Sequence, residues 1–380
     1  MTKKTSFRCT VMRGGTSKGV FLMEKDLPQD PELRDRIILS IFGSPDSRQI
    51  DGLGGADSLT SKLALISPSE EPDRDVEYTF GAVGIDKAFV DYSANCGNIS
   101  SAVGPYAIDK GLVKATAPFT LVRIYNTNTK KMIHAHVPVR KGKFAPEGDY
   151  AIAGCPGTGA RIDLSFMDPG GAFTGRLLPT GNVLDELRLD SGERYSVTVI
   201  DAGNPTAFVS AEALNLRGDE LPADFDREPA ARDKLETLRK KVGEITKIPV
   251  SQSVPKISFV APARDYRTVS GQKIEKDSVS LLARVMAMGR MHKAFAITAG
   301  IPAAIAAVIP DSVVNRAVGG PPPASGTTNL VIGQPSGTME VRVEVERVEG
   351  HPRILSCTIG RTARKIMDGR VYVPETCFRT

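Results

Sequence analysis

The sequence predicts an α+β protein of two pseudo-symmetric halves, each a set of strands around a central helix. Three observations lead there. Short segments rich in Val, Ile, Phe and Thr, several of them alternating, dominate the chain and are punctuated by Gly, Pro, Asn and Asp. Helical patterns are few and do not alternate with the strands in a βαβ rhythm, which disfavours a doubly wound sheet. Pieces of the first half also recur, loosely, in the second. "RGGTSKGVFL" (13–22) and "DAGNPTAFVS" (201–210) share small residues, a hydroxyl and then an apolar strand. "NCGNISSAVGPYAIDKGLV" (95–113) and "GRMHKAFAITAGIPAAIAAVI" (289–309) each set a polar cluster at the mouth of a long apolar helix.

In chain order, strands are expected at 6–12, 19–23, 62–67, 76–80, 87–92, 120–126 and 132–139, then at 195–201, 206–211, 257–262, 329–333 and 339–348, each a β-rich run closed by turn formers. Helices are expected over 31–42, 99–114, 230–246 and 278–309 from the spacing of their apolar residues. The run "AFAITAGIPAAIAAVI" (294–309) falls short of the ~20 residues a bilayer span needs and contains Gly300 and Pro302. It reads as a helix buried on all sides, since it has no polar face to give to water. The polar stretch 175–195 marks the join, so domains of 1–185 and 186–380 are expected.

Composition removes several function classes. The net charge is +5, from 49 basic and 44 acidic residues, with 6% aromatics and no Trp. A nucleic-acid protein would show a basic stripe and aromatics to stack bases, so none is expected as a partner. The opening "MTKKTSFRCTVMRGG" has no apolar segment of the signal-peptide kind, which points to a cytoplasmic protein with no membrane association. Five cysteines, Cys9, Cys96, Cys155, Cys357 and Cys377, form no CxxC pair and suit reduced thiols. Four histidines without ligand spacing give no reason to expect a metal; His134 and His136 alternate as strand neighbours do.

"MRGGTSKGVFL" (12–22) invites a phosphate-loop reading and fails it, because Lys18 follows Thr16 and Ser17 instead of preceding a hydroxyl residue. "DGLGGADS" (51–58) lacks the third glycine of a dinucleotide fingerprint and opens no helix. What survives is a glycine turn whose amides, with the Thr16 and Ser17 hydroxyls, could grip a carboxylate; an ordinary strand connection is the plain alternative. "NCGN" (95–98) is sharper. Asn95 could cap, Gly97 admits close approach, and Cys96 would sit where a helix dipole favours an anion, whether a thiolate or a substrate carboxylate on the amides of Gly97 and Asn98. Lys62 lies in a strand-like alternation. Such a lysine ordinarily points to water, but buried it could take a proton from carbon.

Together, "MRGGTSKG" (12–19), "DGLGGADSLTSK" (51–62), "NCGN" (95–98), "DAGNPTAFV" (201–209), "HKAFAITAG" (292–300) and "PSGTMEV" (335–341) resemble the PrpF family over nearly the whole chain and in the family's order. The resemblance implies a diaminopimelate epimerase-like fold of two similar domains, each a β-barrel-like sheet round a central helix, with the active site in the cleft between them. Members isomerise small unsaturated polycarboxylates: 2-methylaconitate by cis-trans isomerisation, 3-methylitaconate by a double-bond shift, 4-oxalomesaconate by tautomerisation. It also implies that Lys62 and Cys96 are the acid-base residues, which outweighs the local reading of Lys62.

Two departures stand out. Racemases of this fold use a cysteine from each domain, whereas the second helix opens with "MGRMHKA" and offers none; Cys155 lies in the wrong half and is read as structural. Gln334 stands where the resemblance leads us to expect His in many members, so no role in substrate choice is carried over to that side chain.

The expected chemistry is allylic proton abstraction by Lys62 or Cys96, with the two roles unassigned, and return of the proton to another carbon, or to the same carbon after bond rotation. Carboxylates would sit on Gly97 and Asn98 and near His292 and Lys293, with Thr16, Ser17 and Ser336 completing the grip. No redox change occurs, so no nicotinamide, flavin or metal is called for. A non-catalytic accessory protein of an aconitase-like hydratase is the alternative from another class, and it would leave Lys62 and Cys96 unexplained. A homo-oligomer is left open.

Overall fold

The computed structural model describes residues 5–287, 289–320, 325–348 and 351–378. The chain divides into two compact units, Met1–Leu164 with Arg361–Thr380, and Ser165–Gly360. The division differs from the expected join at 185, because the C-terminal strand Ala363–Tyr372 runs antiparallel to the first strand from Ser6↔Tyr372 to Gly14↔Ala363 and so belongs to the first unit.

In the first unit, β1 (Ser6–Gly14) turns tightly into antiparallel β2 (Ser17–Met23). Helix α1 (Pro31–Phe42) follows. The Asp30 carboxylate accepts from the Glu32 amide at 3.3 Å, Pro31 opens the helix and Gly43 closes it at φ 73°. Each feature suits a helix end: a side-chain acceptor for an orphan amide, a ring that presets φ, and a left-handed residue without Cβ. β3 (Lys62–Pro68) then pairs parallel with β2, and β4 (Val76–Val83) antiparallel with β3. The strand Phe119–Asn126 lies parallel to β4 and antiparallel to Lys131–Arg140.

Period-two alternation decides what each face of this sheet covers. Phe7, Leu22, Leu63 and Leu65 pack with Ile37, Ile38, Ile41 and Phe42 of α1. The other face receives helix α2 (Gly97–Asp109), buried from Gly97 to Ile108. A Cβ on Gly104 would lie 2.7 Å from Val137 Cγ2, so the helix can approach this closely only with glycine there. At its C-terminal end, Lys110 and Asp109 meet Asp368 and Lys365 of the C-terminal strand at 2.8 and 2.7 Å.

The second unit repeats the plan. Arg194–Ile200 is antiparallel to Thr206–Ser210, which is parallel to Lys256–Pro262. That strand is antiparallel to Leu281–Ala287, which is parallel to Gly326–Gln334, itself antiparallel to Gly337–Val348. The succession of antiparallel, parallel, antiparallel, parallel and antiparallel pairs is that of the first unit. The helix Pro229–Thr246 covers one face, and Ile297–Ala307, buried throughout, takes the place of α2. Among the described residues no helix is long and apolar enough to cross a membrane.

Three expectations need correction. The helix expected over 278–309 is a strand, Leu281–Ala287, then a helix, Ile297–Ala307. A continuous apolar run carries no period to tell the two apart. Arg284 in that strand is fully buried, and its guanidinium donates to the carbonyls of Glu220 (2.7 Å), Ala283 (2.9 Å) and Gly333 (3.2 Å). The strand expected at 87–92 shrinks to Val90–Asp91, since residues 84–89 form a tight loop closed by the Gly84 amide on Phe89 O at 2.9 Å. Longer strands that were not foreseen include Ile162–Met167, His351–Arg361 and Ala363–Tyr372.

Candidate active site

Six of the expected site residues meet in the first unit, where three elements converge. Lys62 opens β3 opposite Gly19 of β2, and alternation sends it to the α2 side while Leu63 faces α1. A Cβ on Gly19 would come 2.8 Å from Lys62 O and 2.9 Å from Ile99 Cδ1, so glycine lets the strand and helix close on one another. Lys62 Nζ lies 3.1 Å from Cys96 Sγ and 5.7 Å from the centre of the Phe80 ring. Cys96 is 7% exposed and is the extended residue that precedes α2.

Asn95 does not cap the helix as its residue type suggested. Its Oδ1 accepts the amide of Cys96 itself at 2.6 Å, and Cys96, the residue at the cap position, makes no side-chain capping bond to the first turn of α2. The amides of that turn, which include Gly97 and Asn98, have no carbonyl within the helix to bind. They and the positive end of the dipole are left at the end where the thiol sits.

The opening glycine turn lies against this helix end. Gly15 adopts φ 52°, its amide donates to Thr362 O at 2.9 Å, and the Arg13 guanidinium donates to Gly15 O (2.9 Å) and Thr362 O (3.0 Å). The Thr16 amide donates to Asn98 Oδ1 at 3.3 Å. A Cβ on Gly14 would lie 2.5 Å from Asn98 O, and one on Gly15 would strike the Asn98 side chain. The hydroxyls of Thr16 and Ser17 are buried and have no hydrogen-bond partner among the described residues. Native proteins seldom leave buried hydroxyls unpaired, and a bound polar group is one thing that would pair them.

His292, Lys293 and Ser336 are brought together in the second unit. Ser336 Oγ donates to Lys293 O at 2.6 Å, so its proton is committed and only its lone pairs remain. The Ala294 amide donates to His292 Nδ1 at 3.0 Å, which leaves Nε2 as the protonated nitrogen of the ring. Gln334 Oε1 accepts the Ser336 amide at 2.9 Å, so its carbonyl braces the turn. Tyr266, which sequence reasoning missed, clamps both ends of that turn: its hydroxyl accepts the Gln334 amide at 3.1 Å and donates to Gly337 O. Burial pushes the Tyr266 phenol up, so it stays a neutral donor.

Register also exposes an internal parallel. Lys256 opens "KISFVAP" opposite Thr206, as Lys62 opens "KLALISP" opposite Gly19. The residue before the second helix is Ala296, however, and Lys256 Nζ donates to Ser253 O at 3.0 Å. The second unit therefore keeps the lysine position without the thiol. Matching the two heptapeptides would have found it. Among the described residues no three His, Cys, Asp or Glu side chains cluster as metal ligands would.

The family model of the PrpF protein matches residues 4–374. The 3-methylitaconate isomerase of Eubacterium barkeri is 45% identical, covering 99% of each chain, and the 2-methyl-aconitate isomerase of Cupriavidus necator is 41% identical, covering 97% of each. A crystal structure of methylitaconate-delta-isomerase superposes with a TM-score of 0.81 at 43% identity, over 99% of this chain and 97% of that one. A hydroxyproline epimerase from Agrobacterium vitis, at 15% identity, shares the fold with a TM-score of 0.57, over 98% of this chain and 94% of that one. With its repeated half-fold, its lysine and thiol in contact and a match along nearly its whole length, the chain belongs to the PrpF family.

Proposed function

We propose that the protein is a cofactor-independent isomerase that moves a C=C bond within a small unsaturated di- or tricarboxylate, of the 3-methylitaconate or 2-methylaconitate kind. The observation that carries this reading is the 3.1 Å contact of Lys62 Nζ with Cys96 Sγ at the start of a buried helix. Side by side at this distance, one of the two can take a proton from an allylic carbon while the other holds it in place. Loss of an allylic proton leaves a dienolate, whose charge spreads onto the substrate carboxylate. Amides of Gly97 and Asn98 and the hydroxyls of Thr16 and Ser17 would hold that carboxylate and stabilise charge as it develops. The pair then returns the proton. Delivery to the far allylic carbon shifts the double bond; delivery to the original carbon after rotation exchanges cis for trans. Atoms balance in both cases, and no electron leaves the substrate. His292, Lys293 and Ser336 complete the proposal as binding residues, whose replacement should raise KM more than it lowers kcat.

Proton NMR in D₂O tests the reading, with 3-methylitaconate, 2-methylaconitate, trans-aconitate and 4-oxalomesaconate offered separately. Deuterium should enter a methyl or vinylic position of at least one acid, and both exchange and conversion should vanish in Lys62→Ala. Exchange that survives in Lys62→Ala would overturn the assignment of the pair. Failure with all four acids would overturn the substrate class.

A further inference from the structure

The segment 43–61, between α1 and Lys62, contains no helix or strand. Irregular stretches of this length within a compact domain are uncommon and usually serve a site. Most of it hangs on one side chain. Gln49 is 2% exposed and holds φ 46°, a conformation that non-glycine residues adopt only when their surroundings enforce it. Its Nε2 donates to Ser44 Oγ at 2.9 Å and to Ser61 Oγ at 2.8 Å, and its Oε1 accepts the Ala56 amide at 2.8 Å. One amide thus ties the end of α1, the glycine loop and the residue before Lys62. A Cβ on Gly54 would collide with this amide, so the glycine loop closes directly over it.

Ser61 carries the constraint onward. Its hydroxyl donates to Val83 O at 2.9 Å, and its carbonyl accepts the Val83 amide at 3.1 Å, which pins it to the end of β4. Lys62 is the next residue and takes up the pairing with Ala82. Where β3 begins, and so where the Lys62 stem leaves the backbone, is set on one side by β4 and on the other by the Gln49 amide.

We infer that Gln49 is a positioning residue for Lys62, acting through Ser61: it touches no reacting atom but holds the lysine stem at the spacing the Cys96 contact requires. This rests on the reading of Lys62 and Cys96 as the proton-transfer pair. Displacements of about 1 Å in such a constellation can cost a hundredfold in rate.

The test follows iodoacetamide alkylation of Cys96 against pH by peptide mass spectrometry, in the wild type, Lys62→Ala, Gln49→Met, Gln49→Glu and Ser61→Ala. Gln49→Met keeps the length without polar atoms, Gln49→Glu keeps the acceptor but loses the donor when ionised, and Ser61→Ala removes a single hydroxyl. Each variant is checked for folding by circular dichroism. Lys62→Ala should shift the profile, and every folded variant of Gln49 or Ser61 should shift it in the same direction. On 3-methylitaconate these variants should lose about tenfold or more in kcat with KM within about threefold, and Gln49→Met with Ser61→Ala should be no worse than the poorer single variant. A folded Gln49 variant with the wild-type profile, beside a shifted Lys62→Ala, would overturn the inference and leave the pair intact. A profile unmoved in Lys62→Ala would instead overturn the pairing on which it rests.

Discussion

At the scale of single residues, the proposed roles of the thiol at 96 and the lysine at 62 depend on each being held by something else. Cys96 is placed by the turn into α2, and Lys62 by the first pairing of β3. Cys96→Ser keeps a hydrogen-bonding atom near the lysine but exchanges a ready proton carrier for a poor one. Steady-state kinetics should show kcat falling about a hundredfold or more, the usual worth of a positioned acid or base, with little change in KM. Ser17→Ala should behave in the opposite way. Its hydroxyl is buried and has no partner among the described residues, so thermal unfolding should be unchanged or slightly raised by its removal. If it binds the carboxylate, KM should rise about tenfold, as for loss of a hydrogen bond to a charged group. A lowered Tm with unchanged KM would assign the hydroxyl to structure alone.

At the scale of elements, the residue at the head of α2 does not cap its first turn, and the β1–β2 turn can lie against it because residues 14 and 15 lack a Cβ. Gly14→Ala would press a methyl onto Asn98 O, where backbone cannot yield cheaply. It should cost about 1–3 kcal/mol of stability in urea unfolding and impair substrate binding together. Elsewhere, Lys234, Ser191 and Tyr195 all contact Glu193, with Lys234 Nζ at 2.8 Å, and together they pull its carboxyl down to about 2. This contact fastens the helix Pro229–Thr246 to the start of Arg194–Ile200. Because the folded value lies below the unfolded one of about 4.3, the contribution is fully present above that pH and fades as pH falls towards 2. Unfolding curves of the wild type and Glu193→Gln should differ at pH 7 and converge near pH 2. A constant difference would remove the carboxylate from the account.

At the scale of the molecule, one strand arrangement is used twice with different chemistry. The first unit has Lys62 and Cys96; the second has Lys256 and Ala296 in the matching places, with Lys256 engaged by Ser253 O. The first unit is also completed by the far end of the chain, through the ladder from Ser6↔Tyr372 to Gly14↔Ala363 and the ion pairs at Asp368 and Lys365. Ending the chain after residue 360 should therefore unfold the unit that carries Lys62, though it removes nothing adjacent to it in sequence. Limited proteolysis should cut within 5–164 while the fragment 165–360 persists; equal digestion of both would contradict the division.

Much of this was legible beforehand because it is local. Period-two alternation gave most strands of both units, the glycines and cysteine of "NCGN" marked a helix start, and the order of the motifs named the family and the residues Lys62 and Cys96. What could not be read are matters of pairing. The run 281–287 fits a helix or a strand equally well until partners on both sides claim its backbone, and only those partners explain a buried Arg284. The C-terminal strand joins the first unit because β1 has a free edge, which no periodicity reports. Asn95 looked like a cap, yet its oxygen is taken by the nearest amide. Gln49 carried no signal at all, since its importance lies in three contacts to residues 44, 56 and 61. Sequence determined which residues could do chemistry and on what kind of element; tertiary structure alone decided which of them touch, because hydrogen bonds between distant segments are chosen by the packing of the whole unit.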